Sequence, residues 1–346
     1  MAGYASEGSH GFISRRGFIK VMSVSAAALL TPGCLREWLS LGHRPKPHAH
    51  TPFITPNNDF YLVAVDPSFR PPLEPANVNS KWFLEVFEDN GSSNKLSYND
   101  LFNQATQKIH YTFECIGNTV GGQLIGNAQW HVVPLKKILG PMMKQSKNVK
   151  SVMFEGLDDF FSSVSIERAM DDYSFIAMQM NGESLPAAHG FPARVILPDL
   201  YGMKQPRWLK RITLFEKSDT TSYWEQRGWA GEVPVKTMSR LDPRGELPAK
   251  KAVEFTGVAF AGQRGIKKVE VSLNKGESWL TCEMVTPMRN GVWSLWRYIW
   301  QEPVPGNHNL TVRATDGNGV LQTAVQQRPY PDGASGYDHL SFSIKA

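Results

Sequence analysis

The sequence predicts an α+β domain followed by an all-β sandwich, with an export leader and a linker in front. Three observations carry that prediction. The chain has 346 residues, more than one typical domain holds. From Phe53 to about residue 240, short apolar runs are broken often by Gly, Pro and Asn, and helical and strand patterns are mixed. Beyond residue 250 the texture changes to evenly spaced short apolar runs separated by turn residues. With 41% hydrophobic and 20% charged residues, the chain can bury a sizeable core.

The leader comes first. Ser14-Arg15-Arg16-Gly17-Phe18-Ile19-Lys20 precedes an apolar stretch at 21–30 and then Thr31-Pro32-Gly33-Cys34. A basic start, a short apolar middle and small residues at a break describe an export signal, too short to span a bilayer. The paired arginines with Phe18 and Lys20 match the twin-arginine pattern, which carries folded cargo, so residues 1–34 are expected to send the protein to the periplasm. Cys34 is a candidate lipid-attachment site, though Thr31-Pro32 fits that signal poorly. Residues 35–52 read as a linker rich in Pro and His; His43, His48 and His50 could bind a metal, but an extended, solvated tract accounts for them.

Within the first domain, 53–240, strands are expected at 82–86, 111–113 and 152–154, and short helices at 135–139 and 166–170. The polar stretch at 240–251, with Pro243, Gly245 and Pro248, reads as a domain junction. The second domain, 250–346, is expected to place strands at 253–260, 268–273, 291–300, 309–314 and 339–344. Turns at Asn274-Lys275-Gly276, Arg289-Asn290-Gly291 and Asp316-Gly317-Asn318-Gly319 separate them, the pattern of an immunoglobulin-like sandwich. Trp279, Trp293, Trp296 and Trp300 are assigned to its core.

Composition excludes several functions. The net charge of +5 sits partly in the leader, and no basic run is interleaved with aromatics, so nucleic acid is not a partner. Cys34, Cys115 and Cys282 are too few and scattered for a disulfide framework or a zinc site, and Cys282 reads as a small buried hydrophobe. No C-x-x-C-H motif attaches a haem.

Two clusters carry chemistry. Tyr111-Thr112-Phe113-Glu114-Cys115-Ile116-Gly117-Asn118 puts a cysteine where a strand gives way to a Gly-containing turn. By position alone, both a buried structural thiol and a soft metal ligand fit. Arg194, Lys204 and Arg207, with His189 nearby, gather around a turn; they suit either a solvated basic loop or a phosphate site.

Glu114-Cys115-Ile116-Gly117-Asn118 with Gly126-Asn127-Ala128-Gln129-Trp130, and His189-Gly190-Phe191-Pro192-Ala193-Arg194 with Tyr201-Gly202-Met203-Lys204 and Arg207-Trp208-Leu209, resemble the sulfite oxidase family. Thr55-Pro56-Asn57-Asn58-Asp59-Phe60-Tyr61 upstream, and Gly291-Val292-Trp293 and Arg313-Ala314-Thr315-Asp316 downstream, extend the resemblance in order to the C-terminus. It implies a sulfite-oxidase-type molybdopterin domain, a β-sandwich dimerisation domain, and a molybdenum-molybdopterin cofactor with Cys115 on the metal. It also implies pterin contacts at Asn58, Tyr61, His189, Arg194, Gln205 and Arg207, with Lys204 a weaker candidate, and a backbone approach to the cofactor at Gly202. Electrons would pass to a c-type cytochrome or a membrane haem subunit, and the protein would form a homodimer.

The chain also departs from that pattern. Sulfite oxidases carry an oxyanion-binding arginine where this sequence has Val63, and an active-site tyrosine where it has Trp229. A dianion left without its cation in a dry pocket is costly, which argues against sulfite. The Asn58, Phe60 and Tyr61 pattern is closer to the periplasmic methionine sulfoxide reductase branch, which generally lacks a sandwich. Val63, Trp229 and Trp130 are expected to wall an apolar pocket for a neutral or organic substrate, with Tyr223 or Arg227 as replacement contacts if the alignment slips.

Overall fold

A computed structural model describes residues 50–88, 91–144, 148–218, 221–243 and 252–345. The leader, Cys34, His43, His48 and most of the linker lie outside the described residues. Those described belong to one compact unit, His43–Ala346.

Ten strands build the first part among the described residues: β1 (Phe83–Glu88), β2 (Ser93–Ser97), β3 (Gln107–Glu114), β4 (Ile125–Pro134), β5 (Ser151–Gly156), β6 (Phe161–Ser165), β7 (Phe175–Met180), β8 (Glu183–Ser184), β9 (Arg194–Ile196) and β10 (Leu209–Phe215). One sheet runs β2-β1-β10-β5-β6; the other runs β3-β4-β7-β8, with β9 added alongside β7. Among these described strands only β1 and β10 pair in parallel. Alternation explains the first sheet. Leu84 and Val86 of β1 and Ile212 and Leu214 of β10 point to one face and are buried, in one cluster with Phe113, Trp130, Val132 and Met178 of the second sheet.

The predicted helices form at Leu135–Met143, a turn longer than expected, and at Ile166–Ala169. The first buries Leu135, Ile138, Leu139 and Met142, one face at helical spacing. A further short helix at Tyr98–Phe102 was not expected. Ser97 and Asp100 close a capping box on it, a signal present in the sequence at the required spacing.

The sandwich consists of β11 (Met238–Leu241), β12 (Val253–Phe260), β13 (Ile266–Ser272), β14 (Leu280–Thr281), β15 (Glu283–Met284), β16 (Ser294–Trp300), β17 (Gly306–Asp316) and β18 (Asp338–Ile344). Its sheets are ordered β11-β12-β16-β15 and β14-β13-β17-β18. Phe255, Ala259 and Trp296 share a buried cluster with Val269, Val271, Leu310, Val312 and Ala314 of the opposite sheet. The boundary at 240–250 needs correction. β11 pairs with β12 (Met238↔Phe260, Leu241↔Gly257), so residues assigned to the first domain belong to the sandwich. Most of the polar stretch read as a junction, 244–251, lies between these two strands in sequence and outside the described residues.

The tryptophans divide. Trp296 is core, while Trp279 and Trp300 are half-buried. Trp293 is buried at the seam between the domains: its amide donates to Thr112 Oγ1 of β3 (2.9 Å) and its Nε1 to the Phe53 carbonyl (2.9 Å). The segment after the linker is stitched into that seam. Thr55 N donates to Asn127 O (2.8 Å) and Asn127 Nδ2 to Phe53 O (2.8 Å).

Candidate active site

β3 delivers Cys115, the residue after its last, and a loop then returns the chain to β4. The loop is closed from within. Cys115 N donates to Leu124 O (2.9 Å), Asn118 N to Cys115 O (2.9 Å) and Leu124 N to Asn118 Oδ1 (3.0 Å). Asn118 Nδ2 donates to Glu114 Oε1 (3.0 Å), and Glu114 Oε2 is buried without a partner. The Cys115 thiol is free and buried. Burial pushes its pKa up to about 12, opposed by the Gly117 amide, so a thiolate here needs a cation beside it.

A second turn crowds two arginines together. Gly190 follows the 3-10 turn Ala187–His189 with φ at 118°, and a Cβ there would lie 3.1 Å from Arg194 Cβ and 3.2 Å from Arg207 Cβ. Glycine alone satisfies both the conformation and the crowding. Arg194, at the start of β9, donates from Nη1 to His189 O (3.2 Å). Its guanidinium lies over Phe113 (4.1 Å to the centroid) and near Trp130 (5.3 Å), and its Nε is buried without a partner. Arg207 donates from Nη1 to Ala188 O and from Nη2 to Val63 O, both at 3.0 Å, and stacks over Trp208 at 4.5 Å.

No carboxylate bonds either guanidinium among the described residues. Burial lowers Arg194 to about 9, with Arg207 adding to the effect; burial lowers Arg207 to about 10, against the nearby Asp158. Both stay charged at neutral pH. Two such cations, one of them with a buried and unpaired Nε, are suited to receive an anion.

His189 donates from Nε2 to the Asn57 carbonyl at 2.9 Å, and burial lowers its pKa to about 4, so the ring is neutral. Tyr61 is half-buried and feels both Cys115 and Arg194; burial raises its phenol well above the ordinary value. A Cβ at Gly202 would come within 2.8 Å of the Tyr61 hydroxyl, so the close approach that Gly202 allows is to this tyrosine. Asn58 is exposed, one residue from the Asn57 carbonyl that holds His189.

Two predicted contacts are spent inside the protein. Lys204 is fully buried, and its Nζ donates to Ser163 O (2.8 Å), Ser222 Oγ (2.8 Å) and the Glu225 carboxylate. All three of its donors are used, so closeness in sequence to Arg207 does not make it part of the anion receptor. Gln205 accepts from Leu197 N (2.9 Å) and donates to Leu200 O (2.7 Å), bracing the loop behind β9.

The apolar wall expected from Val63, Trp130 and Trp229 does not form as one surface. Trp130 is wholly buried, edge-on to Phe113. Trp229 packs against Tyr330 of the sandwich (5.3 Å between centroids). Val63 contributes its carbonyl to Arg207. Arg227 lies on the Tyr223 ring at 3.6 Å and donates to that residue's carbonyl, so it is no replacement cation. Sequence reasoning missed Asp158, beside Arg207, and the Glu114–Asn118 lock. The second was legible as a carboxylate and an amide four residues apart around the cysteine.

Among the described residues no three His, Cys, Asp or Glu side chains converge on a metal position. A metal at Cys115 would therefore take its other ligands from beyond the His, Cys, Asp and Glu side chains of the described residues. Residues 72–224 match the oxidoreductase molybdopterin binding domain, and residues 233–328 match the Mo-co oxidoreductase dimerisation domain. The chain belongs to the sulfite oxidase family of molybdopterin-dependent oxidoreductases.

Its similarity to curated sulfite oxidases is moderate: 28% identity over 320 residues to the mitochondrial sulfite oxidase of Macaca fascicularis, and 28% over 320 residues to that of Homo sapiens. Each alignment covers 78% of this chain and 57% of the relative, so the chain spans little more than half the length of these sulfite oxidases. The NADH nitrate reductase of Spinacia oleracea is 26% identical over 215 residues, covering 50% of this chain and 23% of the relative. The sulfane dehydrogenase SoxCD from Paracoccus pantotrophus shares the fold, with a TM-score of 0.72 at 19% identity over 85% of this chain and 82% of that one. The cofactor of the sulfite oxidase family is molybdenum-molybdopterin. Asn58 and Tyr61 lie upstream of the matched domain.

Proposed function

We propose that the chain is an exported molybdenum-cofactor oxidoreductase that carries out two-electron oxo transfer on a sulfur-containing or other small organic substrate. The supporting observation is the donor set: one soft, buried thiol at Cys115 with two guanidiniums nearby, Arg194 buried and Arg207 half-buried, that have no carboxylate bonded to them among the described residues. Arg194 Nε, buried and unpaired, is a donor in want of an acceptor. This fits a metal that brings its own sulfur ligands on a phosphorylated pterin.

When bound, the cofactor supplies two-electron redox chemistry coupled to oxygen-atom exchange. Cys115 would bind the metal, and its buried setting keeps competing water from the thiolate. Arg194 and Arg207 would hold the phosphate. His189, neutral and anchored on Asn57, would offer its other ring nitrogen to the pterin, and Tyr61 and Asn58 would contact it from the N-terminal segment.

Val63 in place of the oxyanion arginine argues against sulfite. The second reading, sulfite dehydrogenase, draws on the similarity to the sulfite oxidases. In our reading the twin-arginine leader takes the folded protein to the periplasm. The sandwich pairs two copies, and a c-type cytochrome or membrane haem subunit exchanges the electrons. The test is metal and pterin content of wild type and Cys115→Ala from a cofactor-making host, followed by turnover of sulfite and of organic sulfur compounds. One molybdenum per chain in the wild type, changed coordination in the variant and poor sulfite turnover are expected. A metal-free wild type would end the cofactor assignment, and brisk sulfite turnover would reverse the choice of substrate.

A further inference from the structure

The Cys115 loop is gripped from the other domain. Arg240 lies on β11, paired with Val258 of β12, and is 2% exposed. Its Nη1 donates to Gly122 O (3.2 Å) and Gln123 Oε1 (2.6 Å), both in the loop that Cys115 opens. Its Nη2 donates to Thr51 Oγ1 (2.8 Å) and faces Asp242 Oδ1 at 3.6 Å. Asp242 is itself fixed, accepting from Thr51 N and Thr256 Oγ1, each at 3.0 Å. Against the neighbouring residue of the loop, Asp338 of β18 accepts from Leu241 N (2.9 Å), and its Oδ1 would lie 2.6 Å from a Cβ at Gly121.

A buried guanidinium is a costly way to join two domains, since a well-packed apolar pair would hold them as firmly. What its planar fork adds is direction. It fixes a carbonyl and an amide oxygen relative to the sandwich, and no apolar side chain can do that. The route to the thiol is short. Gln123 precedes Leu124, and the Leu124 carbonyl receives the Cys115 amide at 2.9 Å.

We propose that Arg240 is a positioning residue for the molybdenum thiolate, fixing the loop begun by Cys115 so that the seating of the sandwich is transmitted to the metal's coordination. This rests on the reading of Cys115 as the metal ligand. Groups outside the coordination shell that orient a ligand tune the metal without touching it, and here that outer group comes from the dimerisation domain.

The experiment uses metal-loaded protein and compares wild type, Arg240→Met and Arg240→Lys. The readouts are the sulfur-to-metal charge-transfer absorption, the g-values of the half-reduced metal, the molybdenum content, and kcat set against KM. In Arg240→Met the metal content should hold while the absorption band and g-values shift and kcat falls severalfold with KM little changed. Arg240→Lys, which keeps the charge and loses the fork, should shift them less. Unchanged spectra in a variant that is merely less stable would overturn the proposal. Should Arg240→Met fail to fold, Gln123→Ala removes one grip on the loop and leaves the Arg240–Asp242–Thr51 cluster whole. Wild-type spectra in that variant would be equally fatal. Cys115→Ser, run in parallel, separates the two ideas. If its spectra match wild type, the ligand assignment has failed; if they move while the Arg240 and Gln123 variants do not, the positioning role has failed.

Discussion

At the scale of single residues, the site combines groups that are expensive to bury with partners only partly supplied by the protein. Arg194 is the clearest case, an interior cation whose Nε has nothing to donate to. Replacing it with Met should leave a folded protein with pterin affinity lowered by about 2–5 kcal/mol, since the other side of a charge-assisted contact is then stranded. Arg194→Lys should recover only part of the loss, because an ammonium cannot present a planar fork. Pterin retained after gel filtration, quantified by its fluorescence, measures both. Cys115→Ser should abolish turnover while the thermal melt stays close to wild type, because an oxygen of similar size fills the same closed loop.

His189 gives a pH dependence of definite sign. Its folded pKa is depressed to about 4 by burial, below the ordinary imidazole value, so the unfolded chain takes up the proton first as the solution is acidified. Its contribution to stability is complete above about pH 6.5 and is lost as the pH falls toward 4, a loss on the order of 3 kcal/mol at most. Denaturant midpoints of cofactor-free protein between those limits should slope for wild type and flatten in His189→Gln. An equal slope in both would remove His189 from the account.

At the scale of elements, turns rather than strands make the site. Gly190, at φ 118° with two arginine Cβ atoms within 3.2 Å of where its own would stand, lets the His189–Arg194 segment lie against Arg207. Gly190→Ala should destabilise by about 1–3 kcal/mol through backbone strain and also weaken cofactor retention, visible as a lower melting temperature together with sub-stoichiometric metal. Some of the strands were legible, while β2, β4 and β6 to β11 were not. Period-two alternation located β1, β3, β5 and the main strands of the sandwich, and Gly-containing triplets marked the turns between them, as at Lys275 and Gly276, both with positive φ. Direction could not be read either. Lys204 and Arg207 stand three residues apart in sequence, yet the 3-10 turn Gly202–Lys204 sends the lysine to Ser163 and Glu225 and leaves the arginine at the receptor. Trp130 was misjudged for a similar reason. It lies on a central strand whose faces are covered, and an aromatic there looks the same in sequence as one lining a pocket.

At the scale of the whole molecule, polar bonds tie the two domains together, and this is invisible to local pattern. Thr112 N donates to Gly291 O (3.0 Å), Trp293 reaches Thr112 and Phe53, and Arg240 reaches the cysteine loop. The polar tract at 240–251 looked like a boundary because linkers and strand-to-strand connections use the same residues; only the pairing of β11 with β12 distinguishes them. Trp293→Ala should cost about 3–5 kcal/mol and uncouple the melting of the domains. Calorimetry would then record two transitions where wild type gives one.

The segment from Thr51 to Tyr61 has a consequence for the order of assembly. Its partners include Asn127, Asn181, His189, Arg240, Asp242 and Trp293, so the stretch of this seam that a ribosome makes first can be fully fastened only after the residues up to Trp293 have been made. Until His189 has been made, the Asn57 carbonyl has no imidazole to hold, and the segment lacks its bonds to Trp293 and Asp242 until those residues follow. The cofactor pocket is therefore finished by its earliest-made part, as a closing strap.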